Sequence, residues 1–255
     1  MWTLFVSLAI GAAVGGTLRA TELVHSWPGA ILPGVLVALI AAILLFRRVA
    51  GRIGPVVEDA QRHLQGGRRE MALSTLREGL RWGKWHPLLE GQLRSQIGAL
   101  LYDSQDYDGA IVELSRASKT PWEARGFLAA AYFKKHEDAP MVKAFEDASK
   151  AGEKDDLFWT LYAWCMNAQG KKDDAFKVLK RGLDLMPTTT PGRQRLQGHI
   201  ESLKEGKKLK VAPYADRWAR FALDGSIATG GMKIPKAMRG FAQKPGFRQR
   251  PVKKR

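Results

Sequence analysis

The stretch that decides the fold is residues 156–189, DLFWTLYAWCMNAQGKKDDAFKVLKRGLDLMPTT. Its apolar residues return at a helical period: Trp159-x2-Tyr162-Ala163-x2-Met166 in the first half, Ala175-x3-Leu179-x2-Gly182 in the second, then Pro187. A period near 3.6, broken once by a short charged turn, predicts two helices joined as a hairpin. The same period holds from Gly51 to about Leu203, with Gly and Pro at intervals and no sustained strand alternation.

Working outward, the pattern repeats. A unit from Trp122 carries Leu128-Ala129-x2-Tyr132 and then Met141-x3-Phe145-x2-Ala148, with Met141 where a small residue is expected. A unit from Gly91 carries Ile97-Gly98-x2-Leu101, Ala110-x3-Leu114-x2-Ala117 and Pro121. A degenerate unit from about Ile53 keeps Ala60, His63, Ala72, Leu76 and Gly79. These spacings resemble the 34-residue tetratricopeptide (TPR) pattern over about 140 residues. In that family small residues lie where paired helices cross, and larger ones fill the space between hairpins that cannot bury their apolar sides alone. Residues 192–209 read as a polar-faced helix capping an open end, with Arg195, Gln197, His199, Glu201 and Lys204 around Leu196, Ile200 and Leu203.

TPR proteins are binding scaffolds, and the resemblance implies a concave groove lined by first-helix residues. By register, its candidate partner-binding residues here are Tyr102, Ala130, Phe133, Thr160, Trp164 and Asn167. Small residues floor this groove and Tyr102, Phe133 and Trp164 edge it, which suits an apolar or aromatic anchor of a protein or peptide ligand. The two-carboxylate clamp of chaperone-binding members needs a Lys and an Asn where this chain has Ser95, Gly126 and Thr160, or Ala99, Ala130 and Trp164. Capture of a chaperone C-terminus is therefore not expected.

Before the repeats lie two uncharged stretches, MWTLFVSLAIGAAVGGTL (1–18) and WPGAILPGVLVALIAAILLF (27–46). Each is about the 20 residues that a helix needs to cross a hydrocarbon core. Trp2 and Trp27 mark stretch ends, and Arg47, Arg48 and Arg52 follow the second, so positive residues place the bulk of the chain in the cytoplasm. The expected location is a bacterial inner (plasma) membrane, crossed twice. Ser7, Gly11 and Gly15, and Gly34, Ala38 and Ala42, form small-residue stripes at four-residue spacing. Such stripes serve either packing of the two spans on each other or a homodimer through Gly11 and Gly15.

The net charge of +16 is uneven, because 207–255 holds 14 basic and 2 acidic residues. In this tail Tyr214, Trp218 and Phe221 recur as the face of a short amphipathic helix, and the Gly- and Pro-containing remainder reads as mostly disordered. Three roles compete for it. Arg217, Arg220, Lys253, Lys254 and Arg255 can lie on anionic lipid with Trp218 and Phe221 at the interface. The same mixture of cations and rings can bind RNA or ribosomes. The aromatic helix can also fold back into the chain's own groove.

Catalytic chemistry finds no footing: there is no phosphate-cradling glycine loop, metal-ligand spacing or nucleophile motif. Cys165, the one cysteine, reads as packed and inert. The expectation is an all-α chain of three parts, a transmembrane hairpin (1–50), TPR-like repeats with a capping helix (51–206) and a basic tail (207–255). It is expected to act without catalytic, metal or cofactor sites as a membrane-anchored scaffold for a protein partner, the alternative being a tether for RNA.

Overall fold

A computed structural model describes residues 2–21, 27–85 and 88–223. Lys253, Lys254 and Arg255, with the expectation of tail disorder, lie outside the described residues. All elements are helical: α1 (Trp2–Ala20), α2 (Trp27–Gln65), α3 (Arg69–Gly79), a 3-10 turn (Leu80–Trp85), α4 (Leu89–Asp103), α5 (Tyr107–Ser115), α6 (Glu123–Lys134), α7 (Asp138–Gly152), α8 (Asp156–Ala168), α9 (Lys172–Leu185), α10 (Pro191–Lys204), a second 3-10 turn (Ala212–Tyr214) and α11 (Ala215–Ala219). Contacts divide the chain into two units, Met1–Leu93 with Lys233–Arg255, and Arg94–Met232.

In the first unit α1 and α2 are both long and apolar enough to cross a membrane. Their large side chains point outward, Phe5 being 68% and Leu32 72% exposed. Between them the small residues are consumed by close packing. A Cβ on Gly11 would fall 2.5 Å from the Gly34 carbonyl oxygen and 2.6 Å from the Ala38 Cβ, and Gly15 lies against Gly34. Of the two roles open to Gly11 and Gly15, the structure shows hairpin packing, in which both face Gly34.

Across the boundary expected at residue 50, α2 continues unbroken through Gly51, Gly54 and Pro55 to Gln65. At 1.5 Å per residue its 39 residues span about 58 Å, nearly twice a hydrocarbon core. Beyond Arg52 it becomes a core helix, with Ile53, Val57 and Ala60 at most 2% exposed and α3 packed on it through Ala72, Leu73 and Leu76. The turn Leu80–Trp85 then returns to the start of α1, where Thr3 Oγ1 donates to the Trp85 carbonyl at 2.6 Å.

The second unit consists of helices packed on their sequence neighbours, α5 on α6, α6 on α7, α8 on α9 and α10 on both α8 and α9. Small residues set the crossings. A Cβ on Gly98 would meet Leu114 at 2.5 Å, one on Gly152 would meet Phe158 at 2.4 Å, and one on Gly182 would meet Trp159 at 2.4 Å. Rings fill the wider gaps, as where Phe145 stacks on Tyr162 at 4.5 Å and 12°.

The turns closing these pairs share one geometry. Gly67, Gln105, His136 and Gly170 all take φ between 60° and 78°. In each turn the following N–H donates five residues back: Arg68 to His63 (2.8 Å), Asp106 to Leu101 (3.0 Å), Glu137 to Tyr132 (2.9 Å) and Lys171 to Met166 (3.0 Å). This is the Schellman closure, which satisfies carbonyls that a helix end would otherwise leave unpaired. It recurs at Gly206, where Lys207 N–H reaches Ser202 at 2.8 Å.

Residues 207–223, expected as the start of the tail, pack on the preceding helices. They belong to the second unit, with Leu209, Tyr214, Trp218, Phe221 and Leu223 all buried.

Candidate functional site

The six expected groove residues lie on α4, α6 and α8, and three of them are covered. Tyr102 is 3% exposed, while Ala130 and Thr160 are fully buried. Phe133 and Trp164 are half-buried and meet edge-on, their centroids 5.6 Å apart. Asn167 is half-buried in the same helix as Trp164.

The covering group is the segment 212–223. Its aromatic residues come from three local pieces, Tyr214 from the second 3-10 turn, Trp218 from α11 and Phe221 from beyond its end, and take three seats. Tyr214 sits over α8, its hydroxyl 2.9 Å from Thr160 Oγ1 and donating to Asp156 Oδ2 at 2.9 Å. Trp218 stands edge-on to Trp164 at 5.6 Å. Phe221 lies 4.8 Å from the Phe127 ring and stacks on Trp122, and its carbonyl accepts the Tyr102 hydroxyl at 2.5 Å. Gly126 leaves room for that seat, since a Cβ there would approach Phe221 to 3.2 Å and Trp122 to 2.9 Å.

The cations of the segment are engaged as well. Arg217 pairs with Asp155 at 2.5 Å, and the Arg220 guanidinium lies 5.5 Å over the Phe127 ring. Of the residues considered for lipid, nucleic acid or the chain's own groove, Trp218 and Phe221 are buried on the chain's own helices, Arg220 lies over Phe127, and Arg217, paired with Asp155, stays exposed. The reason is apolar area: Trp218 and Phe221, 3% and 2% exposed, are removed from water at the neighbouring rings.

A polar cluster that sequence reasoning missed fixes Tyr214. Arg195 binds Asp156 through two nitrogens, at 2.5 and 3.1 Å, and His199 Nε2 is 3.3 Å from the Tyr214 hydroxyl. Desolvation pushes the Asp156 carboxyl upward, but the Arg195 and Tyr214 hydrogen bonds outweigh it and hold it below its ordinary value. Burial, reinforced by Arg195 and Lys210 against the opposing pull of Asp156, drives His199 down to about 4, so it is neutral at pH 7. Arg195 and His199, placed by the sequence on the solvent face of a capping helix, thus turn inward. The available signal was the paired acid at 155 and 156: Asp155 caps α8 by accepting from Leu157 N–H, which leaves Asp156 free to face α10.

Cys165 is fully buried, and burial pushes its thiol well above the ordinary range. Among the described residues, no three His, Cys, Asp or Glu side chains gather as a metal site. What this arrangement does chemically is hold an aromatic segment by three rings and one buried hydroxyl. No family model, curated protein or solved structure matches the chain.

Proposed function

We propose that this protein is a membrane-anchored adaptor. Its two-span hairpin holds a TPR-type scaffold at the cytoplasmic side of a bacterial inner membrane, and the groove on α4, α6 and α8 recruits a protein partner through an aromatic peptide. In the resting chain, 212–223 occupies that groove in the partner's place. One observation carries the reading: the residues that the TPR register assigns to ligand contact, Tyr102, Thr160 and Trp164, are those touched by Phe221, Tyr214 and Trp218. A second supports exchange. Ala215 and Ala222, at φ 41° and 44°, hold a backbone region that favours glycine, which opposes docking by about 1–2 kcal/mol each. A tethered segment presents itself at a millimolar effective concentration, so a partner peptide must bind more tightly than the segment does to displace it.

The test is a fluorescein-labelled peptide of residues 211–223 titrated onto full-length protein. Trp218→Ala, whose own segment is released, is expected to bind it saturably, wild type is not, and adding Trp164→Ala is expected to abolish the binding. Absence of binding to the released variant refutes groove recognition.

A further inference from the structure

The strongest unassigned charge lies in the first unit, where α2 leaves its apolar run. Arg48 and Arg52 are exposed and one turn apart on α2, and the turn Leu80–Trp85 brings Arg81 and Trp82 beside Arg52. The Arg52 guanidinium stands 4.9 Å from the Trp82 ring centroid and that of Arg81 5.4 Å from the same centroid. Among the described residues neither has a carboxylate partner, and the next acids along α2, Glu58 and Asp59, are paired with Arg62. Two like charges are thus gathered at one indole, while the acid Glu90 packs on Gly83 of the turn. The height of the cluster is set independently. The Thr3 hydrogen bond to the Trp85 carbonyl ties this turn to the first residues of α1, and Trp85 is itself 36% exposed beside that helix end. Tryptophan rings and arginines at the end of a spanning helix lie at headgroup depth, and guanidinium groups match phosphate oxygens in pairs.

We propose that Arg48, Arg52 and Arg81, with Trp82, form a binding site for the phosphate of an anionic phospholipid in the cytoplasmic leaflet. The site rests on the membrane reading above. It adds a lipid contact at the junction of α2 and the turn, separate from any made by the tail.

The test uses full-length protein in uncharged detergent, titrated with phosphatidylglycerol, phosphatidylcholine or inorganic phosphate, with bound species resolved by native mass spectrometry. Phosphatidylglycerol is expected to reach half-occupancy at the lower lipid concentration. R52Q/R81Q is expected to raise that concentration about thirtyfold, since each cation near an anionic surface contributes about a fivefold factor. R52K/R81K keeps the charge and retains most of the binding, and R62Q, already paired with Glu58 and Asp59, leaves it unchanged. Equal half-occupancy for the two lipids in wild type, a measurement independent of any variant's folding, overturns the proposal. So does R52Q/R81Q binding like wild type. Displacement of the lipid by millimolar inorganic phosphate identifies a free-phosphate site and overturns the lipid assignment. Release of the chain from native membranes by alkaline carbonate would instead remove the membrane reading, a separate result because the titration is done in micelles.

Discussion

Trp218→Ala should open the segment 212–223 and leave the helices behind it standing. Trp218 is 3% exposed and packs edge-on to Trp164. Truncating a buried aromatic of this size costs about 3–5 kcal/mol. Contacts that still hold the segment include the Tyr214 hydroxyl, bonded to Thr160 and Asp156, the Phe221 ring and its carbonyl under the Tyr102 hydroxyl, Arg220 over Phe127 and the Arg217–Asp155 pair. Against them stand the two alanines at positive φ. Since 1.4 kcal/mol is a factor of ten, losing the lower figure raises the open population about a hundredfold. Arg217 and Arg220 then become trypsin sites, while the exposed Lys207 and Lys208 report the intrinsic cleavage rate in both proteins. Timed proteolysis of full-length protein in detergent, read by mass spectrometry, is expected to show cleavage after Arg217 and Arg220 accelerated by about two orders of magnitude, with helical content preserved. Unchanged cleavage at those arginines together with a lowered melting temperature would refute the reasoning, because Trp218 would then support the helical body and not a separable segment.

Other consequences are as direct. His199 is held neutral, with a pKa moved from 6.5 to about 4, so the unfolded chain takes up a proton from pH 6.5 downward while the folded chain does not until about pH 4. Stability is therefore full above pH 6.5 and is expected to decline by up to about 3 kcal/mol between pH 6.5 and 4, a slope in denaturant titrations that His199→Gln should flatten. His136, a non-glycine residue at φ 60° in a Schellman turn, should give a more stable protein as His136→Gly by about 0.5–1 kcal/mol, whereas Gly170→Ala at φ 78° should cost about 1–2 kcal/mol, both read by chemical denaturation. Gly11→Val forces a Cβ to within 2.5 Å of the Gly34 carbonyl oxygen and should lower stability in detergent by about 1–3 kcal/mol, while Gly16→Val, with nothing within 4 Å, should be silent in the same thermal scan.

The helical content was legible because it rests on local period. α4, α6 and α8 begin at Leu89, Glu123 and Asp156, within two residues of where the units at Gly91, Trp122 and Asp156 were expected to start. Two features escaped for opposite reasons. α2 runs on past residue 50 through Gly51, Gly54 and Pro55, because burial of Ile53, Val57 and Ala60 beside α3 outweighs their weak helix propensity. The turns hid their regularity, since glycine marks a left-handed closure at 67 and 170, whereas Gln105 and His136 adopt it without that mark. At the site, the grouping of Tyr214, Trp218 and Phe221 was readable from spacing, but not as one amphipathic helix, since α11 covers only Ala215–Ala219 and Ala215 at φ 41° separates it from Tyr214. Its destination was not, because the contacts that fix it join residues 54 to 119 positions apart, Thr160 to Tyr214 and Tyr102 to Phe221.

The unbroken run of α2 makes its length a matter of phase. A flexible joint after Phe46 would absorb an added residue without effect. A continuous helix instead advances everything beyond the insertion by about 1.5 Å and turns it by about 100°, one residue's share of a 3.6-residue turn. One alanine inserted between Phe46 and Arg47 would carry α3 and the turn Leu80–Trp85 around the rod and pull the Trp85 carbonyl away from Thr3. Seven inserted residues, close to two full turns, would restore the azimuth and leave the same elements about 10 Å further along the axis. The protein therefore reads the register of its own long apolar helix as an angle, and α1, bound at its first turn to Trp85, is the stop against which that angle is set.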